Sequence, residues 1–338
     1  MSYLPVTWFA LIGVIFSVYA VLDGFDLGVG FWYLFLPSEK RQLIQNKTGR
    51  FWYGNKVWLI AGLCSLFTAF PKAFVSVIGS FQLEFILVIG AIIFKTAAGR
   101  LRNIGNNPAW ITVCDIVFTV GSICPPFLFG FIAGNILKGI PLGGDGLYSG
   151  TFSGLFSFYS VVAGLFVVIM FATQGSLYLA MKTEGMFRKR AVKWAGCSRN
   201  IYIVLFLCMA ILSVIFKPHI SINFILHPLL FLVPMCCLVS IITIRLLLKK
   251  EKVFKAFLAS TISIIIISAT FGISIFPFLV PTFGNMGKDL TIYNSAASEK
   301  RLYTLLIIAL IGLPVMIVYT AFVYRRAVKA GKDTHNFA

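Results

Sequence analysis

Two carboxylates sit in a stretch that otherwise reads as membrane helix. Residues 19–30 run Tyr19-Ala-Val-Leu-Asp-Gly-Phe-Asp-Leu-Gly-Val-Gly30, late in the first long apolar run. Asp23 and Asp26, at i and i+3, share one helical face. An acid at the centre of a membrane helix costs about 2.5–3.5 kcal/mol on insertion scales. Both acids therefore need water or polar protein groups around them. Two arrangements meet that need: a helix end where both reach interfacial water, or a helix–helix seam with a polar, proton-accessible pocket. Gly24, Gly28 and Gly30 favour the seam, because small residues four apart let two membrane helices approach backbone to backbone. These glycines do not make a nucleotide loop. No strand precedes them, and G-x-x-x-G-x-G is not the dinucleotide-binding spacing.

Other charges lie in or beside apolar runs. Lys56 opens the second run, and its pairing with Asp23 or Asp26 would lower the cost of burying an acid. Asp115 opens the fourth run, where the helix dipole favours a negative charge. Glu84 falls near the start of the third run and is expected at the interface. Lys95, near that run's other end, is expected to snorkel to the surface. The candidate buried-charge or proton-access cluster is thus Asp23, Asp26, Lys56 and Asp115, with Gly24, Gly28 and Gly30 as its packing seam.

Redox and metal chemistry find little to hold them. The histidines are His219, His227 and His335, and none lies centrally in an apolar run. A membrane haem needs axial ligands at bilayer depth, usually His or Met. Met170, Met209, Met235 and Met316 are intramembrane, but isolated methionines usually serve packing. No cofactor or metal is expected in this chain, and the cysteines read as small apolar filler.

The elements that position these residues are membrane helices. Of 338 residues, 59% are hydrophobic and 12% charged, and the mean hydropathy is +0.92. Soluble domains carry about 25% charged residues, so the fold class is an all-α polytopic membrane protein in one transmembrane domain, 1–338. Nine runs could span a bilayer: 8–30, 57–78, 79–98, 115–137, 154–180, 201–217, 227–248, 256–280 and 302–324. The run at 201–217 is the shortest. The second and third form a tight hairpin, with Pro71, Lys72 and Ser80 at its turn.

The net charge of +18 would suggest nucleic acid in a soluble protein. Here the basic residues sit in short loops, none of them long enough for a nucleic-acid-binding module. Basic-rich and basic-poor loops alternate. Lys40, Arg41, Lys47 and Arg50, then Arg100 and Arg102, then Lys182 to Arg199, then Arg245 to Lys255, and finally Arg325, Arg326 and Lys329 mark one side. The positive-inside rule then places the N-terminus outside, the C-terminus in the cytoplasm, and Asp23, Asp26 and Asp115 in the cytoplasmic half. The outer loop at 281–301, which includes Lys288, is either an ordered lid or a connection. The apolar first run carries its own charges and lacks a basic leader, so no cleavable signal is expected.

The stretch Val21-Leu-Asp-Gly-Phe-Asp-Leu-Gly-Val-Gly30 resembles the signature of subunit II of cytochrome bd quinol oxidases. Further stretches agree in the same order: Gly54-Asn-Lys-Val-Trp-Leu-Ile60, Gly121-Ser-Ile-Cys-Pro-Pro126, Thr173-Gln-Gly175, Leu290-Thr-Ile-Tyr-Asn294 and Leu313-Pro314. The similarity covers nearly the whole chain and is weakest at about 200–255. It implies a partner, the haem-bearing subunit I, which holds haem b, haem d and the quinol site. It admits a small single-helix subunit beside them. The complex would oxidise quinol and reduce oxygen to water in the bacterial cytoplasmic membrane, among lipid and quinone and without nucleic acid. Subunit II would support assembly and stability and, in some members, line a proton route. This chain departs from the family pattern at Tyr53, at Lys56 and at Lys95-Thr-Ala-Ala-Gly-Arg100. Those departures point to neutralised acids here and to protons entering mainly through subunit I. The rival readings are a transporter or channel, which would carry broken helices around a central polar site, and an assembly protein of the same fold.

Overall fold

The computed structural model describes residues 3–38, 41, 44–45, 52–105, 107–144, 146–216, 223–282 and 289–333. Lys40, Lys47, Arg50, His219, Lys288 and His335 lie outside the described residues, as do the side chains of Tyr53 and Lys329.

The chain is a bundle of long helices: α1 (Leu4–Trp32), α2 (Trp52–Ala69), α3 (Pro71–Ser80), α4 (Gln82–Leu101), α5 (Pro108–Lys138), α6 (Phe158–Lys182), α7 (Gly185–Phe216), α8 (Leu232–Lys249), α9 (Val253–Ile275) and α10 (Glu299–Asp333). Among the described residues, eight helical segments are long and apolar enough to cross a membrane. All but one of the nine expected runs correspond to them.

The exception is the second run. A continuous helix over 57–78 does not form, because Phe70 leaves the helix at φ −131°, ψ 64° and Pro71 follows. Proline lacks the N–H that would continue the ladder, and it disfavours helical backbone in the residue before it. Helix α2 also opens on Gly54, Asn55 and Lys56, which lower its hydropathy. The third span is correspondingly displaced to Gln82–Leu101, so the tight hairpin becomes two helices joined by the short α3.

Other boundaries moved for simple reasons. Helix α5 starts at Pro108, with Pro at its first turn and the Asn107 side chain accepting from Ala109 N–H at 2.9 Å. Asp115 therefore lies two turns inside the helix and does not open it. Helix α7 begins at Gly185, since the basic segment before residue 201 is helical although not apolar. Helix α9 stops at Ile275, because Phe276 precedes Pro277 and takes an extended ψ of 136°.

Helices α5, α6 and α1 form the centre of the bundle, with α7 on the far side of α6. The α6 span is the most buried and the α10 span presents no buried residue in its most apolar window. At the end where α1 begins, Trp8, Phe70, Phe81, Phe131 and Leu142 form a core beneath a small β-structure. There β1 (Phe278–Val280) pairs antiparallel with β2 (Leu290–Thr291). Thr282 also bridges Ile140, and its N–H donates to Asp289 Oδ1 at 2.7 Å. The described part of the 281–301 segment is thus tied to the α5–α6 connection. At the opposite end, Tyr33, Leu36, Phe118, Leu179 and Phe187 pack together.

Candidate functional site

The glycines set the distance between α1 and α6. A Cβ on Gly28 would stand 1.8 Å from the Phe171 carbonyl oxygen, and one on Gly175 would stand 2.1 Å from the Gly28 carbonyl carbon. No side chain fits at either position, so the two backbones touch. Gly24 faces the Phe171 ring on the same seam, whereas Gly30 turns toward Ser122 of α5. The small residues predicted as one seam therefore serve two helix contacts.

This close packing seals the acids. Asp23 is 0% and Asp26 1% exposed, which excludes the arrangement in which both reach interfacial water. Each has its own lysine. Lys56 Nζ on α2 donates to Asp23 Oδ2 at 2.5 Å, and Lys95 Nζ on α4 donates to Asp26 Oδ2 at 2.5 Å. The Tyr19 hydroxyl, one turn before Asp23, donates to the same Oδ2 at 2.8 Å. Asp23 Oδ1 has no hydrogen-bond partner among the described residues. The expectation that Lys95 snorkels to the surface is overturned. Its side chain is 5% exposed, and its ammonium lies 5.3 Å from the centroid of the Phe118 ring. A lysine can extend toward water only when its helix face leads there, and this face leads to α1.

Around Asp23 the polar frame continues through α2 and α10. Asn55 donates from Nδ2 to the Leu22 carbonyl at 2.7 Å and accepts from the Tyr324 hydroxyl at 3.1 Å. Trp58 Nε1 donates to Thr320 Oγ1 at 2.9 Å. These polar contacts join apolar ones from Leu302, Leu305, Leu313 and Met316 in holding α10 to the bundle.

Asp115 belongs to a separate set. Arg41 Nη1 reaches its Oδ2 at 2.8 Å, and Arg102 Nε reaches its Oδ1 at 2.7 Å. Arg41 also donates to the carbonyls of Leu34 and Leu36 at 2.7 and 2.9 Å. It thus fastens the turn that follows α1 to Asp115 of α5. Asp115 is held by flanking arginines, not by the dipole of its own helix. Sequence reading missed Arg41, Arg102 and Lys95 as partners. Tyr19 had a signal in its i, i+4 spacing to Asp23; Arg41 had none.

Glu84 also departs from expectation. It is 3% exposed, and its Oε1 has no partner among the described residues. It borders a cavity of about 40 Å³ shared with Phe127, Phe131, Phe152 and Phe156.

Two of the residues weighed as haem ligands have definite places in the bundle. His227, at the start of the turn Pro228–Phe231, lies at a helix end, and Met170 packs among Leu27, Phe166 and Tyr202. Among the described residues, no group of three or more His, Cys, Asp or Glu side chains could hold a metal ion.

With the paired acids of α1 in view, the comparisons with known proteins decide the family. The model of the family described as "Cytochrome bd terminal oxidase subunit II" matches residues 4–327. The chain belongs to that family. It is 28% identical over 352 residues to the Escherichia coli K12 protein named cytochrome bd-I ubiquinol oxidase subunit 2, covering 94% of this chain and 92% of that one. It is 29% identical to the Bacillus subtilis 168 protein named cytochrome bd ubiquinol oxidase subunit 2, covering 97% and 98%. The fold matches a chain of the bd oxidase structure from Geobacillus thermodenitrificans, with a TM-score of 0.78 at 14% identity over 96% and 98% of the two chains. The chain is thus a subunit II of a bd-type terminal oxidase and a multi-pass protein of the bacterial cytoplasmic membrane.

Proposed function

We propose that this subunit II is the non-haem scaffold of its oxidase. It holds a haem-bearing subunit I in place while that partner oxidises quinol and reduces oxygen to water, and it catalyses no step itself. The haems of subunit I supply the electron transfer and the oxygen chemistry. A small single-helix subunit can sit beside the pair. The end of the bundle bearing Arg41, Arg102 and Asp115 faces the cytoplasm, in keeping with the basic loops at that end.

One observation carries this reading: among the described residues, every buried aspartate already has a basic partner from this same chain. Lys56 closes on Asp23, Lys95 on Asp26, and Arg41 and Arg102 on Asp115. A carboxylate that relays protons must bind and release them. A carboxylate locked to a buried cation resists protonation, because protonating it strands the cation in low dielectric. The three sets serve better as clamps between helices α1, α2, α4 and α5 than as a proton wire, so protons reach the reaction mainly through subunit I.

The test starts from the chain purified with its partners from native membrane in mild detergent. A stoichiometric partner with haem d absorption in the reduced-minus-oxidised spectrum, absent when this chain is expressed alone, supports the scaffold reading. A haem-free preparation with no such partner overturns it. The Asp23→Asn oxidase separates clamp from wire. Intact haem content with turnover near wild type supports the clamp, and unchanged haem content with a large loss of turnover overturns it.

A further inference from the structure

Arg199 is a buried cation with no ion-pair partner among the described residues. It lies on α7 where the basic segment gives way to the apolar run, and it is 5% exposed. Its Nε has no partner among the described residues, and its Nη2 donates to Asn200 Oδ1 of the next residue. Its charged neighbour is another cation. Helices α7 and α8 pack side by side: Tyr202 clusters with Ile241 and Ala195 with Ile244, which sets Arg199 level with Arg245 of α8, whose positive charge opposes that of Arg199. Neither arginine forms an ion pair among the described residues, although the chain pairs Asp23, Asp26 and Asp115 elsewhere.

Two guanidinium groups held together without a counter-charge are unfavourable, and one of them is out of water, where an uncompensated charge costs several kcal/mol. An anion would balance the arrangement. Its depth says what kind. Both arginines sit at the same end of the apolar runs, beside the basic segments that the positive-inside rule sets at the membrane surface. Farther along the apolar runs the two helices carry the exposed side chains Val204, Leu207, Val239 and Ile242. A phosphate placed between the arginines would accept forked, charge-assisted hydrogen bonds, and acyl chains would lie against that apolar strip. Basic sites between membrane helices hold lipid head groups in this manner.

We propose that Arg199 and Arg245 form a binding site for one anionic phospholipid, with the phosphate between the two guanidinium groups. The proposal does not depend on the assignment of redox chemistry to another subunit.

Native mass spectrometry of the intact oxidase complex tests it, in wild-type and Arg245→Gln forms. The delipidated complex is titrated with phosphatidylglycerol, phosphatidylcholine or inorganic phosphate. Wild type is expected to retain one phosphatidylglycerol at concentrations where phosphatidylcholine leaves none, and inorganic phosphate is expected not to displace it. Arg245→Gln should raise the phosphatidylglycerol concentration for half-occupancy about tenfold or more, the loss of one charged hydrogen-bonding group. Arg245 is exposed, so this variant assembles even if the buried Arg199→Gln does not. Where Arg199→Gln assembles, it should lose the lipid as well. Equal retention by wild type and Arg245→Gln overturns the site. So does equal binding of phosphatidylcholine, or displacement by inorganic phosphate, which would mark a free-anion site. Loss of another subunit from Arg245→Gln with lipid retention unchanged also overturns it and makes the arginines a protein contact.

Discussion

Helix α4 buries two ionisable side chains about three turns apart, and they are treated in opposite ways. Lys95 reaches across to Asp26 and closes an ion pair against α1. Glu84 meets phenylalanines and a small cavity, with one carboxyl oxygen unpartnered. The same helix thus has one end fastened electrostatically and one end merely packed. Buried charge in this bundle is matched where two segments each supply one sign. Where a single helix supplies a charge, stability has to come from the apolar side chains around it.

Removing one member of the fastened pair should have the largest effect. Lys95→Met leaves Asp26 buried without its cation and should cost about 3–5 kcal/mol, seen as a loss of assembled chain and a lowered melting temperature in detergent. Asp26→Asn in that background should recover more than half of the loss, since an uncharged pair has no orphan to desolvate. If the double variant is as unstable as the single, the clamp is not electrostatic.

The Asp23 pair offers a graded comparison. Lys56 keeps 22% of its side chain exposed against 5% for Lys95. Water can therefore reach the gap that Lys56→Met leaves, and the loss should be smaller, roughly 1–3 kcal/mol. A Lys56→Met complex that melts below Lys95→Met would reverse the assignment of the stronger clamp.

Glu84→Gln should change the melting temperature least, within about 1 kcal/mol, because no cation is stranded. Its clearer readout is Tyr148, in the connection between α5 and α6. Burial and the Glu84 carboxylate together push the Tyr148 phenol above its ordinary value. Glu84→Gln removes the second cause, so Tyr148 should ionise at lower pH, measured as the tyrosinate absorbance missing in a Tyr148→Phe control. A raised phenol also means that the unfolded chain releases this proton first. The associated stability is present below about pH 10 and lost as pH rises through the folded value. Absence of any shift in Glu84→Gln would show that Glu84 exerts no charge on the loop.

The sequence discloses depth better than neighbours. Eight of the nine apolar runs became long helices because about twenty apolar residues have few alternatives in lipid. The Gly28 contact was legible because glycine spacing encodes approach distance. The break at Phe70 was half legible: Pro71 was read as part of a turn, but the second run was carried on to residue 78 because hydropathy resumes after Lys72. Lys95 was misplaced for a related reason. Its position along the helix predicts how far it lies from water, but only the packing of α4 on α1 decides whether its face meets lipid, water or a carboxylate. Asp115 required knowledge of two connections, since Arg41 and Arg102 reach it from segments that hydropathy leaves unstructured.

The pairing of α1 with later helices also has a temporal side. Asp23 waits for a lysine 33 residues downstream and Asp26 for one 69 residues downstream. At synthesis rates of about 5–20 residues per second, the first helix exists for roughly 2–7 s before its first counter-ion has been made. It exists about twice as long before its second. The backbone contact at Gly175 comes later still. During that interval the two acids have neither lysine nor the sealed seam, so α1 must be lodged near water or in the protein-lined environment of the insertion machinery. The geometry that makes the finished bundle tight makes its first helix the part most dependent on help while the rest is being born.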